Sequence, residues 1–559
     1  MKYTGSEILI KSLLKEKVEV IFGYPGGANM PIYDALYFYE KKLRHVLVRH
    51  EQGAAHAAEG YARVTGKPGV CLVTSGPGAT NLVTGIADAM MDSVPLVCIT
   101  GQVAAEYLGS DAFQETDVVG ITAPITKWNC QVTHASEIVE AVAKAFYIAN
   151  HGRPGPVVID ITKNAQFEEA EFVYKKVVVK KLKNPNNFTK NDVLEAAYMV
   201  NRSKRPLLLV GHGVLISGAE MEVSRLTKQG QIPVAATLHG LSATSWDNPW
   251  FVGLVGMHGR YAPNVLTNEA DLIISAGMRF DDRVVGKMSE YAPLAKIIHI
   301  DVDASEHNKN IKADLPIVGD VKTFFKNLLP LVENGHRENW RQQFNLLDEK
   351  EKKAEERRSK KHKEDITMDE VINMLSKKTK GESIVVADVG QNQMFSARFY
   401  DFKRPNSYVT SGGLGTMGFA LPAAIGAMIG APKRETYAVV GDGGFQMTVQ
   451  ELGTILQEKL PVKILILNNE YLGMVRQWQE LFFDHRYSFT HMVNPDFVAL
   501  ASAYGIKAKK IVEKKDLDNS IAEFVKSKEA YLLEVKVAKE GNIFPMIPTG
   551  TAVDKVRLE

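Results

Sequence analysis

The chain has 559 residues, 45% of them hydrophobic and 24% charged, with a formal net charge of +2. That length exceeds a single hydrophobic core and, at about 150 residues per domain, predicts three or four domains. The near-neutral balance gives no electrostatic reason for a nucleic-acid partner, and no apolar run reaches the ~20 residues that span a bilayer.

The three cysteines have no metal-ligand spacing, and Cys71 and Cys98 lie in apolar runs, so they read as buried thiols in a reducing compartment. The first residues show neither a signal-peptide apolar region nor Arg/Ser-rich transit character, and a cytoplasmic enzyme is expected. An apolar-rich run at residues 45–48 leads into Arg49-His50-Glu51-Gln52-Gly53-Ala54-Ala55-His56-Ala57-Ala58-Glu59-Gly60-Tyr61-Ala62-Arg63. The small residues predict a tightly packed helix with Glu51 at a strand–helix junction, where a carboxylate can reach a cleft. A glutamate there is also what the helix macrodipole favours, so by itself Glu51 leaves both readings open. A strand over residues 70–73 then ends in the glycine-rich turn Thr74-Ser75-Gly76-Pro77-Gly78.

Residues 167–190 are polar, carry Lys175, Lys176, Lys180, Lys181 and Lys183, and break at Pro185, as a connector would. Leu207-Leu208-Leu209-Val210-Gly211-His212-Gly213 is a strand running into a Gly-x-Gly turn, a weak dinucleotide signal alone. Asp301 closes a strand over residues 297–300, where a ribose-binding acid often sits. Residues 348–365 are nearly all Lys, Arg, Glu and Asp; the mixed signs predict a solvated surface helix. A strand over residues 436–440 ends in Gly441-Asp442-Gly443-Gly444, an amphipathic spacer follows with Leu452, Ile455 and Leu456 on one face, and a second strand over residues 462–467 ends in Asn468-Asn469. The 27-residue separation of Asp442 and Asn469 is that of one βαβ unit, which sets both at the carboxyl edge of a parallel sheet. Both are hard oxygen ligands, suited to Mg²⁺ holding a diphosphate. The turn at residues 441–444 echoes the one at 74–78, as duplicated domains sharing one cofactor would.

Short Val/Ile/Leu runs alternating with helical patterns predict an α/β protein of three doubly wound parallel-sheet domains. The expected division is 1–165, a linker at 166–189, a central domain at 190–335, a charged helical linker at 336–366, and 367–559.

Glu51 in its setting, Ser75-Gly76-Pro77-Gly78-Ala79-Thr80-Asn81 and the Asp442…Asn469 pair together resemble the thiamine-diphosphate (ThDP) dependent decarboxylases and carboligases. More narrowly, several segments resemble the catalytic large subunit of the acetohydroxyacid (acetolactate) synthase family. They are Phe22-Gly23-Tyr24-Pro25-Gly26-Gly27, Asp111-Ala112-Phe113-Gln114-Glu115, Gly152-Arg153-Pro154-Gly155-Pro156, Gly256-Met257-His258-Gly259, Arg279-Phe280-Asp281-Asp282-Arg283-Val284, Ser411-Gly412-Gly413-Leu414-Gly415-Thr416-Met417-Gly418 and Gly473-Met474-Val475-Arg476-Gln477-Trp478. The likeness spans nearly the whole chain in the expected order.

The resemblance implies a pyrimidine-binding first domain, a Rossmann-like FAD-binding central domain and a diphosphate-binding last domain. Glu51 would hydrogen-bond the aminopyrimidine, and burial among alanines would raise its proton affinity for that exchange. Pro77 and Asn81 match pyrimidine contacts, the Gly415 carbonyl an acceptor for the 4′-amino group, and Met417 an apolar wedge. Gln391, Asn392, Gly443 and Gly444 match the diphosphate site, with Asp442, Asn469 and the Tyr471 carbonyl as the Mg²⁺ shell.

The implied reaction decarboxylates pyruvate with the cofactor as electron sink. It then ligates the two-carbon unit to a second pyruvate or to 2-ketobutyrate, giving 2-acetolactate or 2-aceto-2-hydroxybutyrate for branched-chain amino-acid synthesis. Arg283 matches the partner of the second acid's carboxylate. Trp478 offers a flat wall for its ethyl group; one methylene is worth about 1–3 kcal/mol, so preference rather than exclusivity is expected. Phe113, Gln114, Lys163, Met257 and Met474 are further pocket candidates, although Phe113 and Met474 taken alone read as core.

The FAD contacts implied are Arg153, Gly211, Gly213, Thr237, Leu238, Met257, His258, Gly277, Arg279, Asp281, Asp301 and Asp320. His212 stands where the family usually has a small residue, Asn29 an apolar one, Asn392 a histidine and Phe395 a tryptophan. A FAD-independent catabolic acetolactate synthase and a pyruvate oxidase-type flavin oxidoreductase are the alternatives; Arg283 and Trp478 favour carboligation. The implied assembly is a homodimer or tetramer with ThDP between subunits, joined by a small regulatory subunit, with no nucleic acid and no membrane.

Overall fold

A computed structural model describes residues 1–175 and 186–559. The lysine-rich stretch read as a connector therefore lies largely outside the described residues. Three six-stranded sheets dominate. The first runs Arg44–Leu47, Val20–Gly23, Gly69–Val73, Leu96–Gln102, Pro156–Thr162, Trp128–Val132. The third runs Tyr408–Thr410, Ile384–Ala387, Thr436–Gly441, Lys463–Asn468, Tyr531–Lys536, Lys507–Ile511. In both, the chain order of the strands is 2-1-3-4-6-5 and every pairing is parallel. The two glycine turns of the sequence follow the third strand of each sheet, so their echo is topological.

The middle sheet runs Phe251–Leu254, Val234–Ala236, Pro206–Val210, Leu272–Ala276, Lys296–Asp301, Leu315–Val318, the dinucleotide-fold order 3-2-1-4-5-6, again all parallel. Helices cover both faces, which is why central strands such as Pro206–Val210 and Lys463–Asn468 are buried along their whole length rather than alternating.

The first and third units clasp each other within one chain. Helix Glu51–Thr65 packs along helix Ala420–Gly430 at backbone distance. A Cβ on Gly60 would strike the carbonyl of Ala423, and one on Gly426 the carbonyl of Ala57, so only glycine permits that approach. Arg49 N–H donates to Glu451 Oε1 at 3.0 Å, and Arg44 pairs with Glu458 at 2.7 Å, at the edge of the same contact.

Two expectations about connectors need correction. Glu169–Glu171 forms an antiparallel pair with Lys2–Thr4, and helix Lys163–Phe167 crosses the 165/166 boundary, so the start of the first connector is structured. The charged run lies on helix Glu338–Lys361, which is not solvated all round: Trp340, Phe344, Glu351 and Ala354 are buried. Glu351 bonds Arg398 Nη2 at 2.5 Å, lies 3.6 Å from Arg260 Nε and accepts the Tyr261 N–H at 2.6 Å. Charge composition could not single out Glu351 as the buried carboxylate of this helix.

The segment after the last strand returns to the middle unit. Ile547 N–H donates to the Met257 carbonyl (2.8 Å), and Lys287 N–H to that of Thr551 (2.9 Å). Among the described residues no helix is long and apolar enough to cross a membrane.

Candidate active site

A cavity of about 1200 Å³ opens at the carboxyl edge of the third sheet. Three helices present their N-termini to it: Gln391–Phe399, Asp442–Met447 and Gly473–Phe482. First-turn N–H groups without intrahelical partners and the positive dipole ends make this edge favourable to an anion. Gln391, Asn392, Gly415, Met417, Asp442, Gly443, Gly444, Asn469, Tyr471, Met474 and Trp478 line it. The middle unit adds Thr237, Leu238, Met257, His258, Arg279, Asp281 and Arg283.

Burial pushes the Asp442 carboxyl above the usual range, against a 2.6 Å hydrogen bond from Asn494 Nδ2. Asn469 Oδ1 accepts the Tyr471 N–H at 3.1 Å, and its Nδ2 donates to Gln391 Oε1 at 3.3 Å. Gln391 Nε2 donates to Gln477 Oε1 (3.0 Å) and to the Gly541 carbonyl (3.3 Å). Asn392 Nδ2 donates to the carbonyls of Asp388 (2.8 Å) and Val439 (3.2 Å). Both side-chain amides expected on a diphosphate thus brace protein groups. A Cβ on Gly444 would strike the Asp388 carboxylate, which accounts for that glycine.

Arg283 lies on the short helix Asp282–Val285, whose first N–H groups are capped by Asp281 Oδ1 at 3.1 and 3.2 Å. Its guanidinium is exposed, with Nη1 3.5 Å from Met257 Sδ. The Trp478 ring leans on Phe482 at 5.4 Å between centroids. Burial, with Arg398 and Arg283 nearby, holds His258 down to about 3, so it is a neutral imidazole.

Glu51, Pro77, Asn81, Phe113, Gln114 and Lys163 do not line this cavity. They collect instead at the carboxyl edge of the first sheet. Asn81 Nδ2 donates to Glu51 Oε2 at 2.9 Å; Pro77 opens helix Pro77–Asn81; a Cβ on Gly76 (φ +54°) would lie 2.8 Å from the Gln114 carbonyl oxygen. Lys163 is exposed just past strand Pro156–Thr162, and Phe113 is 87% exposed. The burial of Glu51 expected among alanines is not met within one chain. As the first residue of its helix it overhangs the sheet edge and stays partly exposed, whereas Ala54, Ala55, Ala57 and Ala58 are buried.

A second cavity of about 450 Å³ lies at the switch point of the middle sheet, between the ends of Pro206–Val210 and Leu272–Ala276. Arg153, Gly213, Thr237, Gly277, Arg279, Asp281, Asp301 and Asp320 line it; Thr237, His239, Arg279 and Asp281 also line the larger cavity, so the two share a wall. Gly211 sits behind the wall, where a Cβ would strike the Gly277 carbonyl, so its smallness serves packing. Burial raises the Asp301 carboxyl to about 7. Asp320 caps helix Val321–Leu328 through the Thr323 N–H at 2.8 Å. His212 bridges to the first unit, with Nδ1 3.2 Å from the Asp92 carbonyl oxygen and its ring tilted against His239 at 5.6 Å; burial holds it neutral, near 3.

Three family models cover most of the chain: the thiamine pyrophosphate enzyme N-terminal TPP binding domain at residues 3–121, the central domain at 193–328 and the C-terminal TPP binding domain at 388–535. The chain is 44% identical to the "Probable acetolactate synthase large subunit" of Methanocaldococcus jannaschii, over 99% of this chain and 96% of that protein. It is 42% identical to the "Acetolactate synthase isozyme 2 large subunit" of Escherichia coli, over 98% of each, and 43% identical to the Lactococcus lactis "Acetolactate synthase large subunit", over 99% and 96%. The chain belongs to the acetolactate synthase large-subunit family.

Membership makes thiamine diphosphate the cofactor. Several residues of this acetolactate synthase-family site escaped the sequence reading. Asn494 reaches Asp442 from a loop 52 residues on, and Gln477, beside Trp478, ties Gln391 to the tail by accepting the Ile543 N–H at 2.9 Å. Asp388 accepts the N–H groups of Gly418 (3.0 Å) and Ala420 (2.9 Å) on the Met417 loop. No local motif marks Asn494, whereas Gln477 sits inside the segment at residues 473–478 that carries Trp478; Asp388, directly after strand Ile384–Ala387, stood where an edge carboxylate could have been suspected.

Proposed function

We propose that this chain decarboxylates pyruvate and ligates the two-carbon unit to a second pyruvate or to 2-ketobutyrate, yielding 2-acetolactate or 2-aceto-2-hydroxybutyrate. That is the first common step of branched-chain amino-acid synthesis. One observation carries the reading: Arg283 and Trp478 line the same cavity as Met417, Asp442 and Asn469. Thiamine diphosphate, when bound, supplies the electron sink that decarboxylation of a 2-keto acid needs. The exposed Arg283 fork offers bidentate pairing to the carboxylate of the second acid, and the Trp478 face offers apolar area to its alkyl group.

Mg²⁺ fits the donor set. Asp442, Asn469 and the Tyr471 carbonyl are all oxygen ligands, and a carboxyl whose ionisation burial opposes gains from a bound cation. FAD fits the second cavity, which is glycine-lined and ends at Asp301, a strand-end acid suited to ribose hydroxyls. The first-sheet cluster around Glu51, facing outward with Phe113 exposed, supports a homodimer as the minimum unit, each cavity completed by the partner's cluster. The words "large subunit" in the relatives' names support a separate small regulatory subunit, and three unpaired cysteines support a cytoplasmic location.

The test is incubation of the purified protein with pyruvate, 2-ketobutyrate, ThDP and Mg²⁺, with identification of products. Both acetohydroxy acids are expected. Neither product, or oxygen uptake stoichiometric with pyruvate, would overturn the proposal.

A further inference from the structure

The loop from Ser411 to Ala420 carries the Gly415 carbonyl and Met417, and it hangs from buried carboxylates at both ends. Asp388, in its own unit, holds the far end. The near end is held from the first unit. Asp92 accepts the N–H groups of Gly412 (3.0 Å, Oδ2) and Gly413 (2.7 Å, Oδ1). Ser411 Oγ donates to Asp88 Oδ1 at 2.6 Å while accepting the N–H groups of Gly415 (3.0 Å) and Thr416 (2.8 Å). A hydroxyl has one hydrogen and two lone pairs, so Ser411 is fully used. Asp88 and Asp92 stand four residues apart on helix Val83–Asp92 and so share a face, and both are buried.

We infer that Asp88 and Asp92 are positioning residues for cofactor binding: the first unit, whose Glu51 does not line its own chain's cavity, sets the backbone of the loop that presents Gly415 and Met417. The inference rests on reading that cavity as the ThDP site.

The helix that begins at Glu51 backs these two carboxylates. Arg63 Nη2 donates to Asp92 Oδ2 at 2.7 Å. Glu59 faces Asp88: Glu59 Oε2 and Asp88 Oδ2 are buried acceptor oxygens without a donor, while Glu59 Oε1 lies 2.9 Å from His56 Nδ1. A hydrogen bond between these two carboxyls needs a proton on one of them. Burial raises the proton affinity of both carboxyls, Asp88 to about 8, and holds His56 neutral. One helix therefore carries Glu51 at its outer end and, two and three turns on, braces the cofactor loop of its own chain.

The test uses the full-length protein: calorimetric titration of ThDP with Mg²⁺, and hydrogen exchange of the Gly415 and Thr416 amides without cofactor. Ser411→Ala and Asp88→Ala are each expected to weaken ThDP affinity about tenfold or more and to speed exchange of those two amides. Because Asp88 reaches the loop only through Ser411, the double variant should be no weaker than the worse single one. Asp88→Asn keeps an acceptor for Ser411 and gives Glu59 a donor in place of the shared proton, so it should bind within about twofold of the unaltered protein. Multiplying effects in the double variant, or unchanged amide exchange, would overturn the inference. If Ser411→Ala does not fold, equal affinity of Asp88→Ala and Asp88→Asn overturns it alone. If the unaltered protein binds no ThDP, the cavity reading fails, and amide exchange still decides the anchoring.

Discussion

Asn494 Nδ2 donates a 2.6 Å hydrogen bond to Asp442 Oδ2, and its second hydrogen goes to Asn468 Oδ1 at 3.2 Å. Gln446 Nε2 in turn donates to Asn494 Oδ1 at 2.9 Å, so the amide is held through both its oxygen and its nitrogen. Asn494→Ala should weaken Mg²⁺-dependent ThDP binding by about 10–100-fold, with a smaller loss of kcat at saturating Mg²⁺. A Mg²⁺ titration of activity and of cofactor binding reads both, and an unchanged Mg²⁺ requirement would remove Asn494 from the site.

Glu51 does not line the cavity that Asp442 lines in its own chain. Glu51→Gln should lower kcat by about 10²–10⁴ while leaving the fold intact, since glutamine still accepts the Asn81 amide. Mixed with an inactive Asp442→Ala chain under subunit exchange, it should regain about a quarter of full activity, because half of a statistical set of symmetric dimers then carries one complete site. No recovery despite proven exchange would mean that each chain builds its own site.

Trp478→Leu removes the flat wall of the cavity. Its preference for 2-ketobutyrate over pyruvate as second substrate should fall by about tenfold or more, as expected for the discrimination of one methylene. Arg283→Lys keeps the charge but loses the fork, and should raise KM for the second acid with little change in pyruvate decarboxylation. Competition assays with both acids measure each effect.

Glu351 is charged despite its burial, because Arg398, Arg260 and the Tyr261 N–H outweigh desolvation. Glu351→Ala leaves Arg398 buried and without this partner, and should cost about 3–5 kcal/mol in denaturant unfolding. Arg398 Nη1 also donates to the carbonyls of His258 (3.3 Å) and Gly259 (2.8 Å), so the Met257 loop should loosen and substrate KM should rise.

Asp88 and Asp92 respond to pH in opposite senses. Burial, with Glu59 and Asp92 nearby, holds Asp88 up to about 8. The folded state therefore keeps that proton where the unfolded chain, near 3.9, has lost it, and stability falls as pH rises from about 4 to 8. For Asp92, burial opposes charge but His239, Arg63 and the Gly412 N–H prevail and hold it well below the usual range. Its contribution is complete above about pH 4 and is lost only as pH falls toward that lowered value. In thermal melts from pH 5 to 8, Asp88→Asn should flatten the decline, whereas Asp92→Asn should lower the melting temperature at every pH. Parallel profiles for Asp88→Asn and the unaltered protein would exclude the shared proton.

The fold class was legible in the residues alone, because strands buried on both faces must read as unbroken apolar runs and the helices between them keep their own period. The sequence also located Asp442 and Asn469 as neighbours, since one βαβ unit brings its two strand ends together at a fixed spacing. The glycine turns after residues 73 and 440 were legible because only glycine tolerates those close approaches. Tertiary structure alone decided which residues of distant segments meet. That Glu351 turns inward, that Asn494 orients Asp442, and that Asp88 reaches the Met417 loop through Ser411 depend on contacts between elements 47 to 323 residues apart. Local periodicity carries no information about such contacts. Nor could it divide the candidate site residues into two groups. Glu51 stands outside the cavity that Asp442 lines although its helix, Glu51–Thr65, lies against helix Ala420–Gly430 of the same chain.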